Sequence, residues 1–384
     1  MSVMLKNIAT IAAGQGAPQG DENYCDSGIP FVKAGNLAEL LEGKSITEIQ
    51  MVSDEVAKKH KLKLYKKGSV LFAKSGMSCL KGYVYVLPQD AYVVSHLACV
   101  TPNEDISNYL GYYFQYNRPN KLIKDEAYPS ISLADIGELK IDIKTEAERK
   151  SIVENLFKIE QLIKLQKLQL KELDNLIKAR FVELFGDPIQ NPKGWEVVTI
   201  GDIVTEVRYG TSKPAVEGGK YPYLRMNNLT ADGHLDLNDL KYIDIPDDEI
   251  EKCVVRKGDV LFNRTNSIEL VGKTAVFDLP EDMIIAGYII RVRLTEKMLP
   301  EVLSQYMNLE ALKGILRGMA KGAVNQANIN AQELQSIKVY IPEIELQKQF
   351  VKMKEQVDKS KVAVKKALDE AQLLFDSLMQ KYFG

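Results

Sequence analysis

Residues 256–262 read RKGDVLF, and residues 66–72 read KKGSVLF. Each is a charged turn with a central glycine running into three apolar residues, the pattern of a tight turn that feeds a β-strand. The two copies lie 190 residues apart, and sliding the second half of the chain over the first extends the match. IPFVKAGNL at 29–37 aligns with YPYLRMNNL at 221–229, ISLADIGELKIDI at 131–143 with INAQELQSIKVYI at 329–341, and AERKSIV at 147–153 with ELQKQFV at 345–351. The offset drifts from 190 to 198, as expected when loops change length and elements are kept. Four echoes in the same order mean that one fold is written twice.

Both copies share a grammar. A β-rich stretch comes first: GSVLFAKSG, GYVYVLP and AYVVSHLACV in one, GDVLFNRTNS, GKTAVFDLP and AGYIIRVRL in the other. A helical stretch follows, ISNYLGYYFQYN against PEVLSQYMNLEALKGILRGM, and then a small polar connector. Ser132 with Asp135, and Asn330 with Glu333, have the spacing of a capping box at a helix start. A short strand closes each copy, LKIDI and IKVYI.

Beyond each copy the pattern changes. Residues 147–184 hold no Gly or Pro, and apolar residues recur at 3–4 spacing through Ile152, Leu156, Ile159, Ile163, Leu170, Leu173 and Ile177, with Gln166 in the row. This is a heptad seam on a helix roughly 57 Å long. FGDPIQNPKGW at 185–195 ends it. The C-terminal stretch repeats the rhythm at Phe350, Met353, Val357, Ser360, Val364, Ala367, Ala371, Leu374 and Leu378. A lone seam exposed to water is costly, so the two helices are expected to pair antiparallel, with packing of each helix onto its own domain as the competing arrangement. The expected fold is α/β (α+β): two similar β-rich domains, each followed by a long helix, related by a pseudo-twofold internal repeat. The boundaries are 1–143 for the first domain, 144–186 for the first helix, 187–343 for the second domain and 344–384 for the second helix.

Composition excludes several classes. The 384 residues are 45% hydrophobic and 27% charged, ordinary for a globular protein of two or more domains. No apolar run approaches ~18 residues and the N-terminus lacks a signal-peptide core, so a cytoplasmic location is expected. Cys25, Cys79, Cys99 and Cys253 form no C-x-x-C pair, and His60, His96 and His234 are scattered, so neither a metal site nor a catalytic histidine is expected. GQGAPQG at 14–20 misses the dinucleotide-binding glycine pattern, and VGKTA at 271–275 lacks the earlier glycine of a phosphate loop, its place taken by Ser267.

The whole chain resembles the specificity (S) subunits of type I restriction–modification systems. The resemblance rests on FVELFGDPIQNPKGWEVVTIGDIVTEVRYGTSKP at 181–214, similar to that family's junction between first helix and second target-recognition domain, and on GAVNQANINAQELQSIKVYIPEIELQKQF at 322–350, similar to its exit from a recognition domain into a conserved helix. It implies that each domain reads one half of a bipartite site in double-stranded DNA. It also implies that the helix pair sets the spacing and docks two modification methyltransferase subunits, which restriction translocase/nuclease subunits can join. The chain itself is then non-catalytic and cofactor-free, with S-adenosylmethionine, ATP and magnesium on the partners. The absence of an N/D-P-P-F/Y/W motif agrees with this. One departure is that the second copy opens with GWEVVTIGDI whereas the first begins at MLKNIATI, so the first opening strand is expected to be shorter.

Base readout calls for Arg, Asn, Gln, Ser or Thr on loop tips, with different residues in the two copies. After the VLF strands, Lys74 and Ser75 with Gly76 stand against Asn263, Arg264, Thr265 and Asn266. After the earlier shared strand, Lys33 and Asn36 stand against Arg225, Asn227 and Asn228. In the connector, Tyr128 and Ser130 stand against Asn325, Gln326 and Asn328. Lys213 and Lys321 are candidate phosphate contacts. Basic against acidic residues number 15 to 16 in 1–143 and 18 to 22 in 191–343, so the isolated chain is expected to bind DNA weakly. The alternative function is a non-catalytic duplicated scaffold that binds protein partners.

Overall fold

The computed structural model describes residues 2–320 and 327–384. The chain divides into two units, Met1–Leu165 with Ala367–Gly384, and Gln166–Lys366.

In the first unit, Ala9–Ala13, Leu97–Pro102, Val70–Ala73 and Val84–Val86 form an antiparallel sheet in that order. The KKGSVLF stretch supplies its centre. Gly68 takes the left-handed turn (φ 86°), and Val70, Leu71 and Phe72 are buried, as in a strand covered on both faces. A smaller sheet runs Met51–Val52, Ile29–Val32, Tyr92–Val93, the last two parallel. Helix Ser107–Tyr116 closes the core, with the Phe114 ring 5.3 Å from that of Phe72. Ser2–Met4 pairs with Lys140–Asp142.

The second unit repeats this plan. Its main sheet is Val204–Tyr209, Ile289–Leu294, Val260–Asn263, Thr274–Val276, and its smaller sheet Lys241–Ile243, Tyr221–Leu224, Met283–Ile285, Val254–Val255. Gly258 (φ 93°) takes the place of Gly68. The VLF strands share a register: Phe72 faces Ala98 and Phe262 faces Ile290. Where the first copy has Cys99 opposite Leu71, the second has Arg291 opposite Leu261. That fully buried guanidinium reaches Glu206 at 2.5 Å and the Val254 carbonyl, and Arg293 joins the same carboxylate at 2.9 Å. Glu196–Thr199 pairs with Lys338–Ile341, as Ser2–Met4 pairs with Lys140–Asp142.

Local details follow the sequence with two adjustments. Asn330 and Glu333 form the reciprocal capping box, while Ser132 caps Asp135 N and the Asp135 carboxylate pairs with Lys124 at 3.0 Å. The single helical stretch expected over 300–319 is two helices, Pro300–Asn308 and Glu310–Met319. Leu309 is extended between them, and Asn308 turns its amide onto Thr274 N and O instead of continuing the helix.

Glu146–Phe185 and Ile344–Phe383 are each one 40-residue helix. In the first unit Ile152 and Leu156 share a core with Phe375, Leu378 and Met379, and Tyr112 links Glu160 (2.9 Å) with the Phe375 ring. In the second unit Phe181 and Phe185 pack on Phe350 (5.4 and 5.6 Å), and Asp174 pairs with Lys361 at 2.6 Å. In each unit a later residue of one helix meets an earlier residue of the other, so the pairing is antiparallel. The C-terminal ends of the helices also pack on the globular cores, each on the other copy's domain and not its own: Tyr109 of the first domain touches Phe383 of the second helix, and Tyr306 of the second domain touches Phe181 of the first.

All eight seam positions named on the first helix are buried or half-buried. On the second helix Ser360 and Leu374 face solvent, and Lys361 and Phe375 lie inside instead. A helix of 3.6 residues per turn drifts against a 3.5-residue repeat, which moves the inner row by one position. Lys361 is matched by Asp174 and, at 3.3 Å, by Asp232. His234 lies 3.2 Å from Asp232 and 3.3 Å from Asp358, with Lys354 2.6 Å from Asp358. The Asp232 and Asp358 carboxylates raise the His234 pKa to about 9.

Among the described residues, no helix is long and apolar enough to cross a membrane, and no His/Cys/Asp/Glu group could hold a metal ion.

Candidate nucleic-acid interface

One edge of each main sheet gathers four chain segments. In the first unit, the strand ending at Ala13 passes so close to its neighbour that Gly14 has no room for a side chain. A Cβ there would sit well under 3.0 Å from the Val93 and Val94 carbonyl oxygens. Gly14 N donates to Leu97 O (3.0 Å), Gln15 N to Val93 O (2.8 Å), and Ser95 N to Gln15 O (2.7 Å). The turn after the VLF strand joins the same edge through Lys74 N to His96 O at 2.8 Å and Ser75 Oγ to His96 Nδ1 at 2.9 Å. The connector completes it, with Ile131 N on Lys74 O (2.8 Å) and Gly76 N on Pro129 O (3.0 Å).

The second unit builds the edge in the same way. Gly210 has the same overlap with Ile285 and Ala286 carbonyls. Gly210 N donates to Ile289 O (3.2 Å), Thr211 N to Ile285 O (2.9 Å), and Gly287 N to Thr211 O (2.8 Å). Arg264 N donates to Tyr288 O (3.0 Å), and Ile329 N to Arg264 O (2.9 Å). The main-chain pattern is common to both copies, and the side chains it presents are not. Gln15 stands for Thr211, His96 for Tyr288, Ser75 for Thr265 and Ala13 for Tyr209.

The sequence candidates fall into three groups on this frame. Lys74, Ser75, Ser130, Arg264, Asn266 and Asn328 lie on the edge, and Tyr128 stands beside it, 82% exposed. Arg264 is stacked on Tyr209, its guanidinium carbon 5.0 Å from the ring centroid. Asn227 is exposed, and Lys33, Arg225 and Lys213 are held by Gln50 (2.6 Å), Asp239 (2.6 Å) and Glu249 (2.8 Å). Lys321, Asn325 and Gln326 lie outside the described residues.

Three of these asparagines and a threonine are engaged in bonds within the fold. Asn228 and Asn263 are buried, and their amides are used inside the fold. Asn228 accepts from Arg225 N and donates to Asp236 O, and Asn36 makes the same turn bond to Lys33 N. Asn263 donates to Thr265 O and Tyr288 O and accepts from Asn266. Thr265 is buried and donates to Asn328 Oδ1 at 2.9 Å. The edge also holds residues that were not among the sequence candidates: Gln15, His96, Tyr209, Thr211 and Tyr288. The signal was present in GQG at 14–16 and GTS at 210–212, which align once the strand IATIAA is set against EVRY.

The family model for the type I restriction modification DNA specificity domain matches residues 1–175 and 192–371. The chain belongs to this family. The specificity subunit of the EcoKI type I restriction enzyme from Escherichia coli K12 is 25% identical over 274 residues, covering 66% of this chain and 59% of that protein. The putative MjaX specificity subunit of Methanocaldococcus jannaschii is 29% identical over 220 residues, covering 56% and 50%. The chain thus matches about half the length of these curated relatives. Among solved structures, the S subunit of a type I system from M. genitalium aligns over all of this chain and 96% of its own, with TM-score 0.61 at 14% identity. A chain from a type I R-M system, solved for its complex assembly, aligns over 100% and 97%, with TM-score 0.58 at 19% identity. These structures bear on the fold, which they share.

Proposed function

We propose that this chain is the DNA-specificity subunit of a cytoplasmic type I restriction–modification complex, and that each sheet edge reads one half of a bipartite duplex sequence. One observation carries the reading. Two edges with the same main-chain bonds, each fixed by an obligatory glycine (Gly14, Gly210), present different polar and aromatic side chains. Common backbone with divergent tips is what two related but unequal half-sites require. Arg264, Tyr288 and Asn328 are the readers of one half, and Ser75, His96 and Tyr128 of the other.

The chain contributes recognition and no catalysis. Methylation with S-adenosylmethionine, and ATP- and magnesium-dependent cleavage, belong to partner subunits, two methyltransferases and the translocating nucleases. The long helices offer surface for such partners: Phe157, Leu162 and Leu165, then Leu168 and Leu176, and Val362 and Leu373 on the second helix, are apolar and exposed. The helix pair then sets the half-site spacing. The duplicated protein scaffold gains no support from the family match.

The test is a genome-wide map of modified adenines with and without the gene. A split motif that vanishes on deletion, and that changes in one half when residues 191–343 are exchanged for another recognition domain, is expected. Unchanged modification in both experiments refutes the reading.

A further inference from the structure

The acidic-to-basic balance of the first unit conceals a strong local asymmetry. Residues 56–89 hold eight lysines (58, 59, 61, 63, 66, 67, 74 and 81) and no Asp or Glu. The matching stretch of the second unit, 250–279, alternates Lys252, Arg256, Lys257, Arg264 and Lys273 with Glu251, Asp259, Glu269 and Asp278. The short helices at the start of these stretches both open acidic, with Asp54 and Glu55 against Asp247, Asp248 and Glu249, but Asp54–Lys59 ends in two lysines and Asp247–Cys253 carries one, Lys252.

The turn at 58–63 is tied to the recognition edge. Gln15 Nε2 donates to Lys61 O at 3.1 Å, and Lys63 N donates to Gln15 Oε1. Tyr65 OH donates to Ala13 O at 2.6 Å. Lys58, Lys59, Lys61 and Lys63 are exposed, and no acidic side chain among the described residues pairs with them. At the positions 190 residues on, the second unit has Asp248, Glu249, Glu251 and Cys253 instead of lysines. Lys61 also occupies the left-handed position (φ 51°) that ends its helix, with Leu62 N on Ala57 O and Lys61 N on Lys58 O. Glycine or asparagine suits that position better, so a lysine there is kept against the backbone preference.

We propose that the turn at Lys58–Lys63 is a phosphate clamp, which grips the duplex backbone beside the first recognition edge and has no equivalent in the second unit. The proposal rests on the DNA-specificity reading and adds to it that the two half-sites are held with unequal electrostatic strength. Each phosphate neutralised contributes about 0.9 to the slope of log affinity against log salt.

The test uses the full-length chain and a fluorescent mixed-sequence 30-base-pair duplex, with anisotropy read across KCl at low ionic strength. K58Q/K59Q/K61Q/K63Q is expected to lower the salt slope by about 2 to 3.6. K252Q/K257Q, at the matching turn, and K150Q/K158Q/K164Q/K167Q, on the first long helix, are expected to change it by less than about 1. K61G is expected to keep or raise the melting temperature while weakening binding, which separates the lysine's charge from its backbone role. A quadruple turn variant with the wild-type slope overturns the clamp and assigns the turn to another partner, such as an acidic protein surface. A helix quadruple that weakens binding equally also overturns it, because only net charge then matters. A wild-type chain with no salt-dependent duplex binding refutes the DNA-specificity reading itself.

Discussion

The obligatory glycines give the most direct link between fold and recognition. Gly14 does not lie in the left-handed region, so alanine there meets only a steric penalty. The added methyl overlaps the Val93 and Val94 carbonyl oxygens, which are main-chain atoms and cannot rotate away. Overpacking of this kind costs about 1–3 kcal/mol. Withdrawal of the strand end also loosens the Gly14–Leu97 and Gln15–Val93 bonds, at about 1 kcal/mol each. The sum, about 3–5 kcal/mol, falls on one local edge. Amide exchange in segments 9–16 and 92–102 of G14A should therefore quicken by at least about a hundredfold, while the second unit is unchanged. Gly16 has open space around it, so G16A is the internal control and should exchange as wild type. In cells, G14A should blur one half of the modified motif and G210A the other. A G14A protein that exchanges and recognises DNA like G16A would refute the claim that this close approach positions the tips.

Three further outcomes can be measured. Phe350 is fully buried between Phe181 and Phe185, so F350A should cost about 3–5 kcal/mol, read by the single Trp195, whose Nε1 donates to Phe185 O. His234 is held at a pKa of about 9, above the 6.5 of a free imidazole, so its stabilisation is complete below pH 6.5 and disappears as pH rises through about 9. With its side chain about 36% exposed, screening reduces that contribution to on the order of 1–2 kcal/mol, and H234Q should flatten the fall of the urea midpoint over that window. N263A should cost about 1–3 kcal/mol by stranding buried partners, whereas R264A should cost under about 1 kcal/mol and alter one half of the modified motif; the reverse pattern would exchange their roles.

Much of the fold was legible because its signals are periodic or repeated. A glycine turn before VLF, written twice, locates the central strand, and 3–4 spacing without Gly or Pro locates the long helices. The recognition edge was less legible for a physical reason. Asparagine has the same donors and acceptors whether it meets a base or a main-chain amide. Asn228 and Asn263 look like readers by residue type, yet each satisfies turn atoms that would otherwise be buried without partners. The seam positions at Ser360 and Leu374 failed because a heptad count accumulates error along a nearly straight helix. His96, set aside as a scattered histidine, and Tyr288 were not candidates for the edge because their places there depend on pairing with Lys74 and Arg264, which sequence spacing does not reveal.

The same contrast bears on what the helix pair can do. A seam made only of Leu and Ile is tolerant of sliding, since any apolar row fits another. Lys361 is not tolerant: it is largely buried and needs Asp174 on the partner helix and Asp232 on the globular part of its own unit. A slip of one turn, ~5.4 Å, would strand that charge and two carboxylates. Polar groups inside a seam lower its stability and in return fix its register. If the pair sets the distance between half-sites, a register held by charge is the property that role demands, and a stronger but wholly apolar seam would serve it less well.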